Sequence, residues 1–451
     1  MSSNSLKKLA VRGTVWTVAG YGTSQILRFG SNLILTRLLV PELFGLMALV
    51  QVFLQGLTLF SDIGIRPSII RSDRGDEPVF LNTAWTIQVI RGGILWLCCV
   101  LVALPVANYY QDPRLTWLVP LVGLSTIIAG FNSTSLATLN RHLKVGLLAR
   151  FELAVQAIAL SVLVTWAWLS PTIWALVVGN LVSISLTALG SHYLNPGAAN
   201  RFAWNREVVK EITSFGKWIF ISTAMTFLAS QADRLILGKL FSLEMLGVYV
   251  VAFTFADIPR QISLTVGSKV IYPAIAKLSH LSRPTLKTKI LKKRAAMLLF
   301  LGAVIAILCC FGDLIILTLY DSRYEQAAWM IPLLALGLWP LLLCTTIDRF
   351  LMAIGKPNYL ACGNLLKFIY MVILIPWGFQ MGGTVGALIV IAFNDLPYYG
   401  LVHYGLWREQ LTFLLQDFWA TILLLLAIAL LASLRYFTNF GTPLDTILLN
   451  Q

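Results

Sequence analysis

Charge is what this sequence has least of. Asp, Glu, Lys and Arg make up 12% of its 451 residues, about half of the roughly 25% usual in soluble domains. That scarcity excludes a string of ordinary water-soluble domains, although length alone would suggest about three. Acidic residues are the scarcer sign, 20 against 34 Lys and Arg, for a net charge of +14. The excess does not point to nucleic acid, because no basic patch interleaved with aromatics stands on a soluble fold. The six cysteines (Cys98, Cys99, Cys309, Cys310, Cys344, Cys362) lie in or at the ends of apolar runs, with neither metal-ligand spacing nor a disulfide framework. The four histidines (His142, His192, His280, His403) are scattered and build no site. There is no Gly-rich phosphate loop, Walker motif or triad, so the chain reads as neither an ATP-driven pump nor an enzyme, and as needing no metal or cofactor. The opening MSSNSLKKLAVRG has no cleavage site and leads into a retained span rather than a removed signal peptide.

What is abundant is apolar sequence: 58% of residues are hydrophobic, in recurring runs long enough to cross a bilayer as helices. Spans are expected near 14–36, 43–63, 83–104, 115–137, 147–168 and 172–194. Six more follow near 216–238, 245–268, 296–318, 327–347, 359–380 and 384–404, and a thirteenth near 415–435. The tail from Tyr436 is too short and polar to cross. Basic residues cluster in alternate loops: Lys7, Lys8 and Arg12; Arg66, Arg71 and Arg74; Arg141 and Lys144; Arg201, Arg206 and Lys210; then Lys277 to Arg294, Lys356 and Arg408. The other loops carry little beyond Arg37, Arg114, Lys239 and Arg323. The positive-inside rule then puts the N-terminus in the cytoplasm.

Residues 32–49, NLILTRLLVPELFGLMAL, align with 234–251, RLILGKLFSLEMLGVYVV, at an offset of 202. Leucine matches are cheap in apolar sequence. Glu42 with Glu244 and Gly45 with Gly247 in the same register are not. With one residue of slippage Gly64-Ile65-Arg66 meets Gly267-Ser268-Lys269. Six spans separate the copies, an even number, so the repeat is parallel, with a substrate site expected between halves. The expected fold is an all-α polytopic membrane protein of two six-helix lobes around a central cavity, plus one or two C-terminal helices. Its parts would be an N-terminal lobe at 1–198, a cytoplasmic connector at 199–215, a second lobe at 216–405, and an extra span with tail at 406–451.

Several charges sit inside apolar runs: Arg28, Arg91, Asp233, Arg234, Asp257, Arg260, Asp348, Arg349 and Asp395. Each costs at least about 2.5–3.5 kcal/mol near the bilayer centre, so each must face a cavity, pair or snorkel. Thr17, Tyr21, Ser24, Arg28 and Ser31 recur at steps of four and three, along one helical face. Arg28 is read as a cationic cavity residue; the alternative is structural glue in a hydrogen-bonded seam. Ser222, Thr226 and Asp233 repeat the pattern in the seventh span. Asp233 and Arg234 leave their helix about 100° apart and do not simply neutralise each other, whereas Asp257 and Arg260 at i and i+3 can pair. Arg91 shares a face with Ala84 and Gln88, while Asp348 and Arg349 lie where snorkelling is open to them. Asp395 follows Asn394, precedes Pro397 and has no obvious partner; it is a candidate proton carrier, since intramembrane carboxylates serve relays.

Taken together, arginines in a membrane cavity select an anion, because guanidinium forks suit phosphate and carboxylate. The basic run from Lys287 to Arg294 is explained by topology and attraction to anionic lipid. The stretch Arg206 to Lys217 could form an interfacial amphipathic helix.

The segments WTVAGYGTSQ at 16–25, LTRLLVPELFGLMAL at 35–49 and FSDIGIRPSII at 60–70 resemble the start of the polysaccharide transporter (oligosaccharide flippase) family. That family belongs to the multidrug/oligosaccharidyl-lipid/polysaccharide exporter superfamily. LNTAW at 81–85, LNRHLKV at 139–145, IWALVVGN at 173–180, DRLILGKLFSLEMLGVYVVAF at 233–253 and IPRQ at 258–261 through IYPAIAKL at 271–278 extend the resemblance. It implies a flippase for undecaprenyl-pyrophosphate-linked oligosaccharide in a bacterial inner membrane, working by alternating access. Polysaccharide polymerase or assembly proteins are the partners it implies beside the lipid bilayer. Arg28, Asp233 and Arg234 fall in the motif-bearing spans and carry over as lumen candidates. Relatives often have fourteen spans, against thirteen expected here. The candidate cavity residues are Arg28, Arg91, Arg234 and Arg260; those for coupling or pairing are Asp233, Asp257, Asp348 and Asp395. A cation-coupled small-molecule exporter is the nearest alternative, and a membrane-embedded glycan polymerase or ligase, which needs a catalytic outer loop, is one of another class.

Overall fold

The computed structural model describes residues 3–142, 144–194, 200–266 and 283–438. Among the described residues there is no strand, and helices joined by short turns account for nearly all of them. The repeat segment Gly267–Lys269, the stretch 271–278 and His280 lie outside the described residues, as do the side chains of Thr17, Tyr21, Ser222, Arg349 and the basic residues from Lys287 to Lys293. The chain divides into two compact units, Met1–Ala224 and Met225–Gln451.

The first unit holds α1 (Ser3–Leu38), α2 (Pro41–Phe60), α3 (Ile65–Arg71), α4 (Pro78–Tyr110), α5 (Leu115–Gly130), α6 (Ser135–Arg141), α7 (Val145–Leu169), α8 (Ile173–Tyr193) and the start of α9 (Arg206–Leu240). Proline opens α2 and α4, where its missing N–H costs nothing and its φ is already helical. The second expected span ends where α2 gives way to α3, and the fourth is broken within its length. At Gly64 (φ 69°) the backbone turns left-handed between α2 and α3, and the Asp62 carboxylate accepts the Gly64 N–H at 2.9 Å. α5 and α6 meet at 58°. Gln88 of α4 donates to the carbonyls of Ala129, Gly130 and Asn132, satisfying acceptors that a helix end leaves orphaned. α4 approaches α5 so closely that a Cβ on Gly92 would lie 2.5 Å from the Thr126 carbonyl oxygen, the small-residue packing expected of membrane helices.

Arg206 to Lys217, read from sequence as an interfacial amphipathic helix, is the first part of a longer one. α9 runs unbroken from Arg206 to Leu240. Val208 and Ile212 are fully buried against Ile65, Ile69, Phe80 and Ala84. That apolar face is spent inside the unit instead of on lipid headgroups.

The second unit holds the rest of α9, α10 (Leu243–Ala256), α11 (Ile258–Val266), α12 (Arg283–Leu319), α13 (Ala327–Gly337), α14 (Trp339–Thr345), α15 (Asp348–Ala353), α16 (Asn358–Ala392), α17 (Leu396–Arg408) and α18 (Leu414–Phe437). Helix limits repeat with the motif: α1 ends at Leu38 and α9 at Leu240, α2 starts at Pro41 and α10 at Leu243. Packing repeats too. α2 lies on α5 and α4 on α5 in the first unit; α10 lies on α13 and α12 on α13 in the second. The span expected at 245–268 breaks at Asp257, and that at 327–347 breaks between α13 and α14.

α16 is two helices. Gly382 and Gly383 (φ 56°) leave the helical region, and a Cβ on Gly386 would lie 2.1 Å from the Gly378 carbonyl oxygen. Eight residues of continuous helix would hold those positions about 12 Å apart, so the chain reverses there. Among the described residues eight segments qualify as membrane spans by length and composition, nine with α5 and α6 taken as one. The stretch 358–408 counts once in that figure although it contains the reversal; α1 and α9 are more polar, and α10 is shorter.

Candidate functional site

Within the first unit the polar face of α1 divides. Ser24 donates to Gln156 Oε1 of α7 at 2.6 Å, and Gln156 returns a bond to the Ser24 carbonyl at 3.1 Å. This is an interhelical seam. Arg28, one turn on, is exposed, and among the described residues no carboxylate pairs with it. Arg91 instead ties α4 to the end of α2, through Ser61 Oγ at 3.0 Å and the Thr58 carbonyl at 2.6 Å. In the loop between α4 and α5, Arg114 grips Asp112 and also reaches Glu42 at 2.7 Å. Burial alone would raise the Asp112 carboxyl, but the Arg114 hydrogen bonds outweigh it and hold it below its ordinary value.

The second unit repeats that grip, with Arg323 bonding both carboxylate oxygens of Asp321. It differs in its interior. Asp233 is buried and accepts the Tyr249 hydroxyl at 2.5 Å on one oxygen, while the other has no hydrogen-bond partner. Arg234 turns away as its position on the helix requires, bonding Gln231 at 2.7 Å and lying 5.3 Å over the Phe253 ring, with its Nε unpartnered. Asp257 and Arg260 form the expected i, i+3 pair, closed by a second contact of 2.9 Å. Tyr398 reaches Asp348 at 3.4 Å.

Asp395 is not partnerless: Lys367 of α16 lies 2.5 Å away, both groups being nearly buried. The reading of Asp395 as a lone carboxylate is corrected by its pairing partner across the hairpin, 28 residues earlier in sequence.

Sequence reasoning missed the two most enclosed ion pairs. Arg294 of α12 binds Asp417 of α18 and also Thr346 at 2.8 Å, Gln416 at 2.9 Å and the Leu343 carbonyl at 3.1 Å. Arg435 of α18 binds Asp313 of α12 through both oxygens, at 2.7 and 2.6 Å. Arg294 was masked by the basic run it ends. Asp313 sits inside an apolar run like the residues that were singled out, and was legible. His403 is not an isolated histidine either; it lies 2.7 Å from Asp417. Both ion pairs run up the chain in the same direction, so α12 and α18 are parallel. The paired positions are about 28 Å apart on α12 and about 27 Å on α18, close to the hydrocarbon thickness of about 30 Å. Parallel helices require an odd number of crossings between them, which α13 with α14, the first arm of α16, and its second arm with α17 supply.

These features define a multi-pass α-helical membrane protein with the repeated-half architecture of exporters. Residues 34–329 match the profile of the polysaccharide biosynthesis protein family, and the chain belongs to it. It is 22% identical over 382 residues to the succinoglycan biosynthesis transport protein ExoT of Rhizobium meliloti, an alignment covering 85% of this chain and 77% of that one. Its fold is similar to that of lipid II flippase MurJ in an inward closed conformation, with a TM-score of 0.73, 13% identity and 96% of each chain covered. An inward-facing multidrug resistance MATE family transporter overlaps less, at a TM-score of 0.62 and 14% identity over 84% of this chain and 93% of that one.

Proposed function

We propose that this chain is a flippase that carries an anionic, lipid-linked oligosaccharide across a bacterial inner membrane by alternating access. The undecaprenyl-pyrophosphate-linked repeat unit would enter from the cytoplasmic leaflet, with the N-terminus of the protein on that side. The observation that supports this most is family membership over two thirds of the chain together with a flippase fold along nearly its whole length. Arg28 and Arg234 are the residues proposed to hold the pyrophosphate or acidic sugars, since among the described residues neither guanidinium is committed to a carboxylate. Arg91 and Arg260 already serve protein partners, so their proposed part is to hold the helices that present the others. Asp233, Asp257, Asp348 and Asp395 are proposed to bias the transport states through pairing. Polysaccharide polymerase or assembly proteins are the proposed partners on the membrane.

Arg28→Ala and Arg234→Ala, made separately and matched for membrane expression, test the reading by counting lipid-linked oligosaccharide on each leaflet. A charge-assisted contact is worth about 1.5–3 kcal/mol, so each variant is expected to slow flipping about tenfold or more and to pile substrate on the cytoplasmic face. Wild-type flipping in both variants would make these arginines structural.

A further inference from the structure

The start of α18 carries a cluster that ion-carrier candidates drawn from the sequence did not include. Asp417 is 2% exposed and His403 6%. One Asp417 oxygen takes the Arg294 guanidinium; the other faces the Tyr399 hydroxyl at 3.2 Å and His403 Nε2 at 2.7 Å. The second ring nitrogen, Nδ1, faces the Tyr399 carbonyl at 3.0 Å.

Both imidazole nitrogens therefore face oxygens. A carbonyl oxygen can only accept, so the Nδ1 contact requires a proton on Nδ1. The Nε2 contact requires one more proton, carried by His403 or by Asp417. The carboxylate already accepts from Arg294 and Tyr399, and with its lone pairs engaged in this way it serves as acceptor to the ring as well, so that proton sits on His403. We infer that His403 and Asp417, set between Arg294 and Tyr399, form a proton-binding site in which His403 is an imidazolium, and that loss of the proton loosens α17 from α18.

Charged and titratable groups of the neighbouring helices surround the site. From α12 comes Arg294, from α14 the Cys344 thiol, and from α15 Asp348, which is held by Tyr398 of α17. Asp348 and Asp417 both lie within electrostatic reach of Cys344. From α16 come Tyr359, packed on Gly405, and Lys367, already neutralised by Asp395. Arg294 and imidazolium His403 thus both face Asp417, and Arg294 is held further by the Thr346 hydroxyl, Gln416 and the Leu343 carbonyl. Removal of the shared proton sets a bare nitrogen against an oxygen, at 2.7 Å if Nε2 gives it up and at 3.0 Å if Nδ1 does. Like-sign lone pairs at that distance repel, so the ring or the start of α18 must move. The inference holds whatever the cargo is.

The test is a pH titration of the full-length protein in lipid nanodiscs, labelled with 15N-histidine and read by NMR. Four histidines give a small set of signals, and His403→Gln, or the other three replaced in turn, assigns the one in question. His403 is expected to show two protonated ring nitrogens near neutral pH, and Asp417→Asn is expected to strip one of them under the same conditions. A bare ring nitrogen on wild-type His403 near neutral pH overturns the site. The wild-type spectrum decides this even where a variant fails to fold. In vesicles, His403→Gln is expected to abolish the pH dependence of flipping, and its persistence overturns the link to helix movement. Failure of the cargo assignment would show as absent flipping with the titration intact.

Discussion

The two units descend from one repeat, yet they treat charge in opposite ways. Among the described residues the first buries a single charged side chain, Asp112, at a loop. The second buries six aspartates and two arginines, with His403 beside them. The shared device is the Asp-x-Arg grip after the third span, Asp112 with Arg114 and Asp321 with Arg323. The difference lies within the helices. Buried ion pairs seldom repay their desolvation compared with apolar packing, so holding so many in one unit argues for a task beyond stability. The first unit leaves Arg28 exposed; the second encloses most of its buried charges in pairs.

The sharpest way to break this comparison is at a fully enclosed pair. Arg435→Met strands the Asp313 carboxylate and is expected to cost about 3–5 kcal/mol, read as a lowered thermal midpoint in detergent. The double variant Asp313→Leu with Arg435→Leu is expected to recover most of that. A single substitution that costs almost nothing would mean that the interior charges of the second unit are as idle as surface ones.

A smaller effect separates the hairpins. The first unit turns between α7 and α8 through Ser170, Pro171 and Thr172, whereas the second turns at Gly382 and Gly383 with backbone against backbone. Gly386→Ala is expected to cost about 1–3 kcal/mol by overpacking. Gly302→Ala, where a Cβ would make only ordinary contacts beginning at 3.6 Å, is expected to be neutral or slightly stabilising. Equal effects on unfolding would deny the close approach in the hairpin.

The smallest effect belongs to the first unit. Glu42→Gln removes a half-exposed pair with Arg114, worth less than about 1 kcal/mol. The Asp112 carboxyl is held below its ordinary value, so its contribution is complete above about pH 4 and is lost as pH falls through its folded value. Asp112→Asn is therefore expected to lower stability by a constant small amount above about pH 4 and to flatten the acid limb, where that contribution is lost in the wild type.

Much of the fold was legible in the residues. Apolar runs placed the helices, and the match of Glu42 with Glu244 located a repeat whose helix limits recur at the same offset. The pairing of Asp257 with Arg260 was legible because both lie on one helical turn. Asp395 with Lys367 was not, because the pair closes across a hairpin that glycines alone announce. The breaks in the fourth span of the first unit and in the second and fourth spans of the second unit were also missed, since hydropathy averages over a break as short as the single residue at Asp257.

The sequence by itself determined that the chain is helical, crosses a membrane many times and is built twice over, because hydropathy and periodicity are local properties of the chain. Tertiary structure decided which charges meet. Arg294 finds Asp417 across 123 residues and Asp313 finds Arg435 across 122. In a medium that cannot solvate them, such partners are chosen by the packing of helices, and nothing in their sequence neighbourhoods records the choice.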